Sequence, residues 1–451
     1  MMKRGIALLL CLCLLPLFTL ATTEEERLAY SLQMFEDFRS GNEEAVLKDM
    51  TPDMEGLLKG KVGAIWLQIR GQAGSFQSVG PQKSYEKNGF QVTETGLYFQ
   101  NMYLVQTISF DPKGKVAGLS YTPAARPEDV TEAVMPEGVT EENITVTAEE
   151  AYPLPGTLTL PKGDILAGFV LVHGSGPNDR DETIGANKPF RDLAWGLASR
   201  GFAVLRYDKR TLVYGSQIAA DPDYPTFTAD GETALDAAAA IKQLQSLPGM
   251  EGRKVFLIGH SMGGMLASYI GTLAPETAGY VLMAGTPRKL WEIIVDQNLM
   301  MMEGLSPEET DQANKLLAAE QEKAAKLLTL TDDEALLPEN APFTLSAWYL
   351  RHLENIDAAK LHLQDKKPVL VMQGEKDRQV TMKDFYLWKE RLAGHPDAVF
   401  TSYPELNHLF GQYEGEPVPP AQLVTVEYMQ PTPIPQQVID DIAAWAKERA
   451  K

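Results

Sequence analysis

Six short apolar runs, at 168–172, 203–207, 255–258, 280–283, 369–372 and 399–403, constrain this chain more than anything else in it. Most are dense in Val, Leu or Ile and lack polar alternation, which suits strands covered on both faces of a parallel sheet. Stretches with helical spacing lie between most of them, at 190–199, 232–247, 264–274 and 383–392, and another at 440–449 closes the chain. That alternation predicts a doubly wound, mostly parallel α/β sheet with helices on both faces. Two more strands are expected ahead of it, at 143–147 and 156–160. One connection breaks the rhythm. Residues 288–365 place mostly helix-forming sequence between two strands, an insertion of the size of a helical cap. A proline-rich stretch, 417–435, is expected to wrap the surface before the last helix.

The run at 255–258 leads straight into Gly259-His260-Ser261-Met262-Gly263 and then into helical spacing. A serine between glycines, on a turn from buried strand to helix, is forced outward in a strained conformation that presents its hydroxyl. A hydroxyl becomes a nucleophile only when a base takes its proton. Of the six histidines, His408 sits in Tyr403-Pro-Glu-Leu-Asn-His408, just past the last strand-like run, where a base belongs in such a sheet. His173 lies in a glycine-rich loop, His260 within the serine motif and facing elsewhere, His352 and His362 in the insertion, and His395 in a surface turn. The acid that orients the base is expected after the preceding strand. The turn at 374–377 carries Asp377, which can face the His408 loop, with Glu375 as the alternative. The chain order Ser261, Asp377, His408 is that of the α/β-hydrolases. The glycine-rich loop 173–177 supplies backbone donors for an oxyanion; the N–H groups of Ser175 and Met262 are the expected pair. The loop matches neither phosphate-binding pattern, and Pro177 removes a donor.

The segments HGSGPNDRDE (173–182), LRYDKR (205–210), GHSMGG (259–264), GEKD (374–377) and ELNH (405–408) resemble secreted bacterial α/β-hydrolase esterases related to the serine aminopeptidase and acylpeptide hydrolase groups. The resemblance implies an α/β-hydrolase domain over 143–451 with a cap near 288–365. It implies cleavage of carboxylic esters through an acyl-enzyme, without metal or organic cofactor. Two other functions stay open: a peptidase or amidase acting on short peptides, and a non-catalytic ligand-binding protein. The acids that an aminopeptidase needs for a free α-amine are not identifiable. Arg180, Asp179 and Asp208 are candidates for substrate contact, or for the ion pairs that anchor loops. Leu299-Met-Met-Met302 offers either a pliable apolar surface to a substrate chain or a core-facing patch.

Ahead of the hydrolase lies a different composition. Lys3 and Arg4 precede an apolar run over 6–20, and small residues at 19 and 21 suit a cleavage site, so 1–21 reads as a signal peptide. A run of about 15 apolar residues is short for a membrane span. Export from a bacterial cell, to the envelope or beyond, is the expectation. Both cysteines, Cys11 and Cys13, fall inside that segment, so the processed chain has no disulfide and no thiolate chemistry. The formal charge of −20 becomes −22 once Lys3 and Arg4 are lost, which opposes sequence-independent binding to nucleic acid or anionic lipid. Residues 22–128 pass from helical spacing (24–38, 43–50, 53–69) to strand-like runs (90–94, 97–110, 115–121). That order resembles the small α+β domain of nuclear transport factor 2, expected to bind an unidentified ligand or mediate self-association. Residues 129–142 read as a linker.

Overall fold

The computed structural model describes residues 23–87, 89–128 and 133–450. The signal segment expected over 1–21, and residues 129–132 of the expected linker, lie outside the described residues. The chain divides into two compact units, Met1–Ala124 and Ala125–Lys451.

The first unit sets four helices, α1 (Glu24–Ser40), α2 (Glu43–Leu47), α3 (Pro52–Leu58) and α4 (Val62–Ala73), ahead of an antiparallel sheet. Its strands, β1 (Phe76–Lys87), β2 (Phe90–Phe99), β3 (Tyr103–Phe110) and β4 (Val116–Ala124), pair in chain order. A capping box at Thr23 and Glu26 starts α1. Met34, Phe35 and Phe38 of α1 are buried in two clusters with Leu97, Phe99, Ile108 and Phe110 of the sheet. Three expectations change. The helical stretch at 53–69 is two helices, separated at Gly60, whose φ of 76° no helix accommodates. β1 has no counterpart among the expected strands, because Gly80, Pro81 and two register shifts erase its alternation. The apolar stretch 97–110 is the end of β2, a turn and β3. Gly96 looks like a break but lies inside β2, where the Tyr103 hydroxyl occupies the space a Cβ would need.

The second unit carries an eight-stranded sheet: β5 (Val139–Val146), β6 (Leu154–Pro161), β7 (Ala167–Val172), β8 (Phe202–Tyr207), β9 (Val255–His260), β10 (Tyr280–Met283), β11 (Val369–Gly374) and β12 (Ala398–Tyr403), ordered β12-β11-β10-β9-β7-β8-β6-β5. Pairing is parallel from β12 to β8 and antiparallel from β8 to β5. Every residue of β7 to β11 is buried, whereas edge strand β12 is mostly half-buried, so the unbroken apolar runs reflect cover on both faces. β7 shows the two-sided burial: Val170 and Val172 join one core, Phe169 and Leu171 the other. The strand β5 takes up residues 139–142, which the sequence places in the linker.

Helices α5 (Pro189–Ala198), α6 (Arg210–Ala220), α7 (Leu235–Gln245) and α8 (Met262–Leu273) fill the connections between β7 and β10. Of these, α6 has no counterpart in the expected helices. Between β10 and β11 come α9 (Leu290–Met301), α10 (Pro307–Ala324), α11 (Asp332–Ala335), α12 (Ala347–Glu354) and α13 (Ala358–Asp365). The last of them packs on α8. Ala358 and Ala359 are buried in the sheet's own core, and Ser268 Oγ of α8 donates to Ala358 O at 3.0 Å. Helices α14 (Met382–Arg391) and α15 (Gln436–Arg449) complete the two layers, Trp388 in one core and Val438 and Ile442 in the other. The stretch 417–435 does more than wrap a surface: Leu423, Tyr428 and Ile434 are buried.

Candidate active site

Each segment expected to carry chemistry leaves the carboxyl end of a parallel strand: 173–177 after β7, Ser261 after β9, Asp377 after β11 and His408 after β12. Ligands of open α/β sheets bind at such ends. Ser261 has φ 52° and ψ −116°, a left-handed conformation that a non-glycine residue adopts only when its surroundings impose it. Both flanking glycines are required. A Cβ on Gly259 would run into the backbone of Gly263, and one on Gly263 into the carbonyl oxygen of Val172. Ser261 N donates to Met283 O at 2.8 Å, and Met265 N to Ser261 O at 3.0 Å. α8 opens at Met262, so the Met262 N–H is one of those a helix leaves without an intrahelical acceptor.

The imidazole of His408 and the carboxylate of Asp377 are paired, Nδ1 to Oδ2, at 2.7 Å, and both are buried. Asp377 is held from all sides. Oδ1 accepts from the N–H groups of Gln379 (2.7 Å) and Val380 (3.0 Å), and Oδ2 from Gln373 Nε2 (2.9 Å). Glu375, the alternative acid, accepts instead from Ser402 Oγ at the exposed side of the turn. Ser261 and His408 line one cavity of about 750 Å³, together with Ser175 and Met262. Ile218 and Phe227 supply apolar wall from the body of the unit, and Ile293 and Leu345 from the insertion.

The model of the alpha/beta hydrolase family matches residues 169–417, more than half of the chain. The chain belongs to the alpha/beta hydrolase family. It is 33% identical over 383 residues to Esterase EstD of Thermotoga maritima, covering 84% of this chain and 85% of that protein. Residues 125–451 alone do not amount to 84% of the chain, so the match reaches into the first unit. A shorter stretch of 93 residues is 31% identical to the lysosomal Pro-X carboxypeptidase of Mus musculus, 20% of this chain and 18% of that one. Among solved structures, Est1E from Butyrivibrio proteoclasticus aligns with TM-score 0.42 at 13% identity, over 68% of this chain and 98% of its own.

Beneath the cavity of this alpha/beta hydrolase lies a second histidine and acid that the sequence does not single out as a pair. His260, placed facing away from the site, is part of its floor. Its Nε2 lies 2.9 Å from His408 O, and its Nδ1 forms an ion pair with Glu182 Oε2 at 2.9 Å. Glu182 Oε1 accepts from Gly174 N at 2.7 Å. Burial opposes charge on both groups, but each counters it for the other: His260 is raised and Glu182 lowered from their ordinary values. Three loops of the site are thereby joined.

Asp179, Arg180 and Asp208 are brought together, but not on the cavity. Arg180 forms a two-pronged pair with Asp208 (3.0 and 2.8 Å) and donates to Gly156 O. Asp179 accepts from Asp181 N, Thr183 N and Thr183 Oγ1, which shapes its own loop. None of the three is among the residues lining the cavity, so the anchoring alternative describes them. Leu299 and Met301 are half-exposed and Met300 packs on Leu409, Leu423 and Tyr428. The methionine stretch is therefore neither a cavity wall nor a buried patch. The remaining histidines lie elsewhere: His173 between Phe190 and Tyr207, His362 between Tyr280 and Trp388, His352 beside Asp230. His395, expected at the surface, is largely buried.

Proposed function

We propose that this chain is a carboxylic ester hydrolase in which Ser261 is the nucleophile. The observation that carries the proposal is the 2.7 Å pair of His408 and Asp377, opening on the same cavity as a serine held at φ 52°. Ser261 Oγ attacks the acyl carbon and its proton passes to His408 Nε2, since Nδ1 is engaged by Asp377. The oxyanion accepts from the N–H groups of Met262 and Ser175. The proton then goes to the departing alkoxide, an acyl-enzyme remains, and water releases the acid by the same steps. Asp377 keeps its charge, fixing the ring's tautomer and stabilising the imidazolium. The similarity to a protein named an esterase supports the bond cleaved.

An aminopeptidase needs an unpaired acid for the substrate's α-amine. The two carboxylates lining the cavity, Glu182 and Glu232, are already paired with His260 and Lys209. That favours esters, and a comparison of p-nitrophenyl esters with aminoacyl anilides separates the two. Ser261→Ala is expected to abolish turnover of p-nitrophenyl acetate; full turnover refutes the proposal.

The proposal extends to the rest of the chain. Residues 1–21 direct export to the bacterial envelope or beyond, supported by their sequence pattern alone. The first unit is a domain like nuclear transport factor 2, supported by its helices-then-antiparallel-sheet order. It binds a ligand or a second copy.

A further inference from the structure

We propose that Lys209 is a positioning residue for the oxyanion donor, fixing and polarising the peptide between Gly174 and Ser175. The inference rests on the reading of this chain as a serine hydrolase with the Ser175 N–H as a donor.

Gly174 is the point where the 173–177 loop touches the nucleophile. A Cβ there would lie 3.1 Å from Ser261 Cβ and 3.3 Å from Glu182 Oε1, so any side chain at 174 would press on both. Gly174 is gripped at both ends. Its N–H donates to Glu182 Oε1 (2.7 Å), and its carbonyl accepts from Lys209 Nζ (2.9 Å) and Asn178 Nδ2 (3.3 Å). That carbonyl belongs to the same peptide as the Ser175 N–H. No peptide bond of the described residues is cis. In a trans peptide C=O and N–H point in opposite directions, so turning the carbonyl onto Lys209 turns the Ser175 N–H away from it. A cation on the oxygen also draws charge from the amide nitrogen, which strengthens its N–H as a donor.

Lys209 is buried and needs a counter-charge there. Glu232 Oε1 supplies it at 2.6 Å, and Glu232 Oε2 is bound by the Tyr349 hydroxyl of α12 at 2.6 Å. Lys209 N also donates to Asn178 O at 3.0 Å, tying the strand β8 end to the oxyanion loop. Lys209 therefore reaches the reaction through the peptide it holds, and the inserted helix α12 reaches Lys209 through Glu232.

The test compares the double variant Lys209→Met, Glu232→Gln with the parent protein, since in neither is a buried charge left unpaired. Each is measured for thermal unfolding, for kcat and KM on p-nitrophenyl acetate, and for inhibition by phenylboronic acid, which forms a tetrahedral adduct with a reactive serine. Losing one oxyanion donor costs about 100- to 1,000-fold in kcat, and a displaced donor less. We expect kcat about 10- to 100-fold lower with KM within about twofold, and boronic acid binding weakened by the factor lost in kcat. Equal kcat in two folded proteins, or a loss carried by KM, overturns the proposal. If the double variant does not fold, Lys209→Gln with Glu232→Gln carries the comparison; failure of both to fold makes Lys209 a structural residue and overturns it too. An inactive Ser261→Ala beside an unaffected Lys209 variant leaves the hydrolase reading standing, whereas an active Ser261→Ala sinks both.

Discussion

Removing the Glu182 side chain probes how the floor of the site is held. The carboxylate is 2% exposed and makes two contacts, to Gly174 N at 2.7 Å and to His260 Nδ1 at 2.9 Å. Glu182→Ala deletes both and leaves the His260 ring without a counter-charge. The hydrogen bond from Gly174 N to a charged carboxylate contributes about 1.5–3 kcal/mol, and breaking a buried ion pair from one side costs about 3–5 kcal/mol. The ring can shed its proton, which caps the loss within that range. Glu182→Gln is expected to behave differently. Its amide oxygen can accept from Gly174 N, and its NH₂ can donate to Nδ1 of a neutral His260, whose Nε2–H still reaches His408 O. A cost of about 1 kcal/mol then remains. The pH dependence follows from the shifts. His260 is raised, so its contribution is full below its ordinary 6.5 and fades as pH climbs through the raised value. Glu182 is lowered, so its contribution is full above its ordinary 4.5 and fades as pH falls. Urea unfolding at pH 5.5, followed by tryptophan fluorescence, should therefore show the largest gap between parent and Glu182→Ala. Equal midpoints for those two proteins, or Glu182→Gln as damaging as Glu182→Ala, refute the reasoning.

Three other substitutions have defined outcomes. Asp377→Asn can no longer hold His408 in the tautomer that accepts the serine proton, and kcat on p-nitrophenyl esters should fall about 10,000-fold, read from initial rates. Burial pushes His362 down to about 3, and both its ring nitrogens lack partners, so acid protonates the unfolded chain first and stability falls as pH drops below 6.5. His362→Phe, between the rings of Tyr280 and Trp388, should flatten that acid limb in thermal melts at pH 4 to 7. Gly263→Ala should yield no cooperatively folded second unit by circular dichroism, because its Cβ meets backbone rather than a side chain that can move aside.

The parallel strands were legible because burial on both faces leaves few polar positions to confuse the pattern, as in β7. Ser261 was legible because the glycines at 259 and 263 are sterically obligatory. His408 and Asp377 follow from strand order, since each loop leaves the carboxyl end of its strand. What the sequence hid is pairing at a distance. His260 reads as a bystander until the turn at Glu182, with φ 51°, brings a carboxylate beneath it. The mixed charges of 179–182 and 206–210 carried a usable signal, opposite charges in two segments at neighbouring strand ends. Arg180 with Asp208, and Asp181 with Arg206, are that signal realised. In the first unit β1 stayed hidden because its bulged, glycine- and proline-bearing run breaks the period of two.

The nucleophile can be caught directly. Incubation with a fluorophosphonate, followed by proteolysis and peptide mass mapping, should place one phosphonyl group on the peptide holding residue 261, and none after Ser261→Ala. Modification at any other residue, or an unlabelled protein that still hydrolyses p-nitrophenyl acetate, contradicts the account.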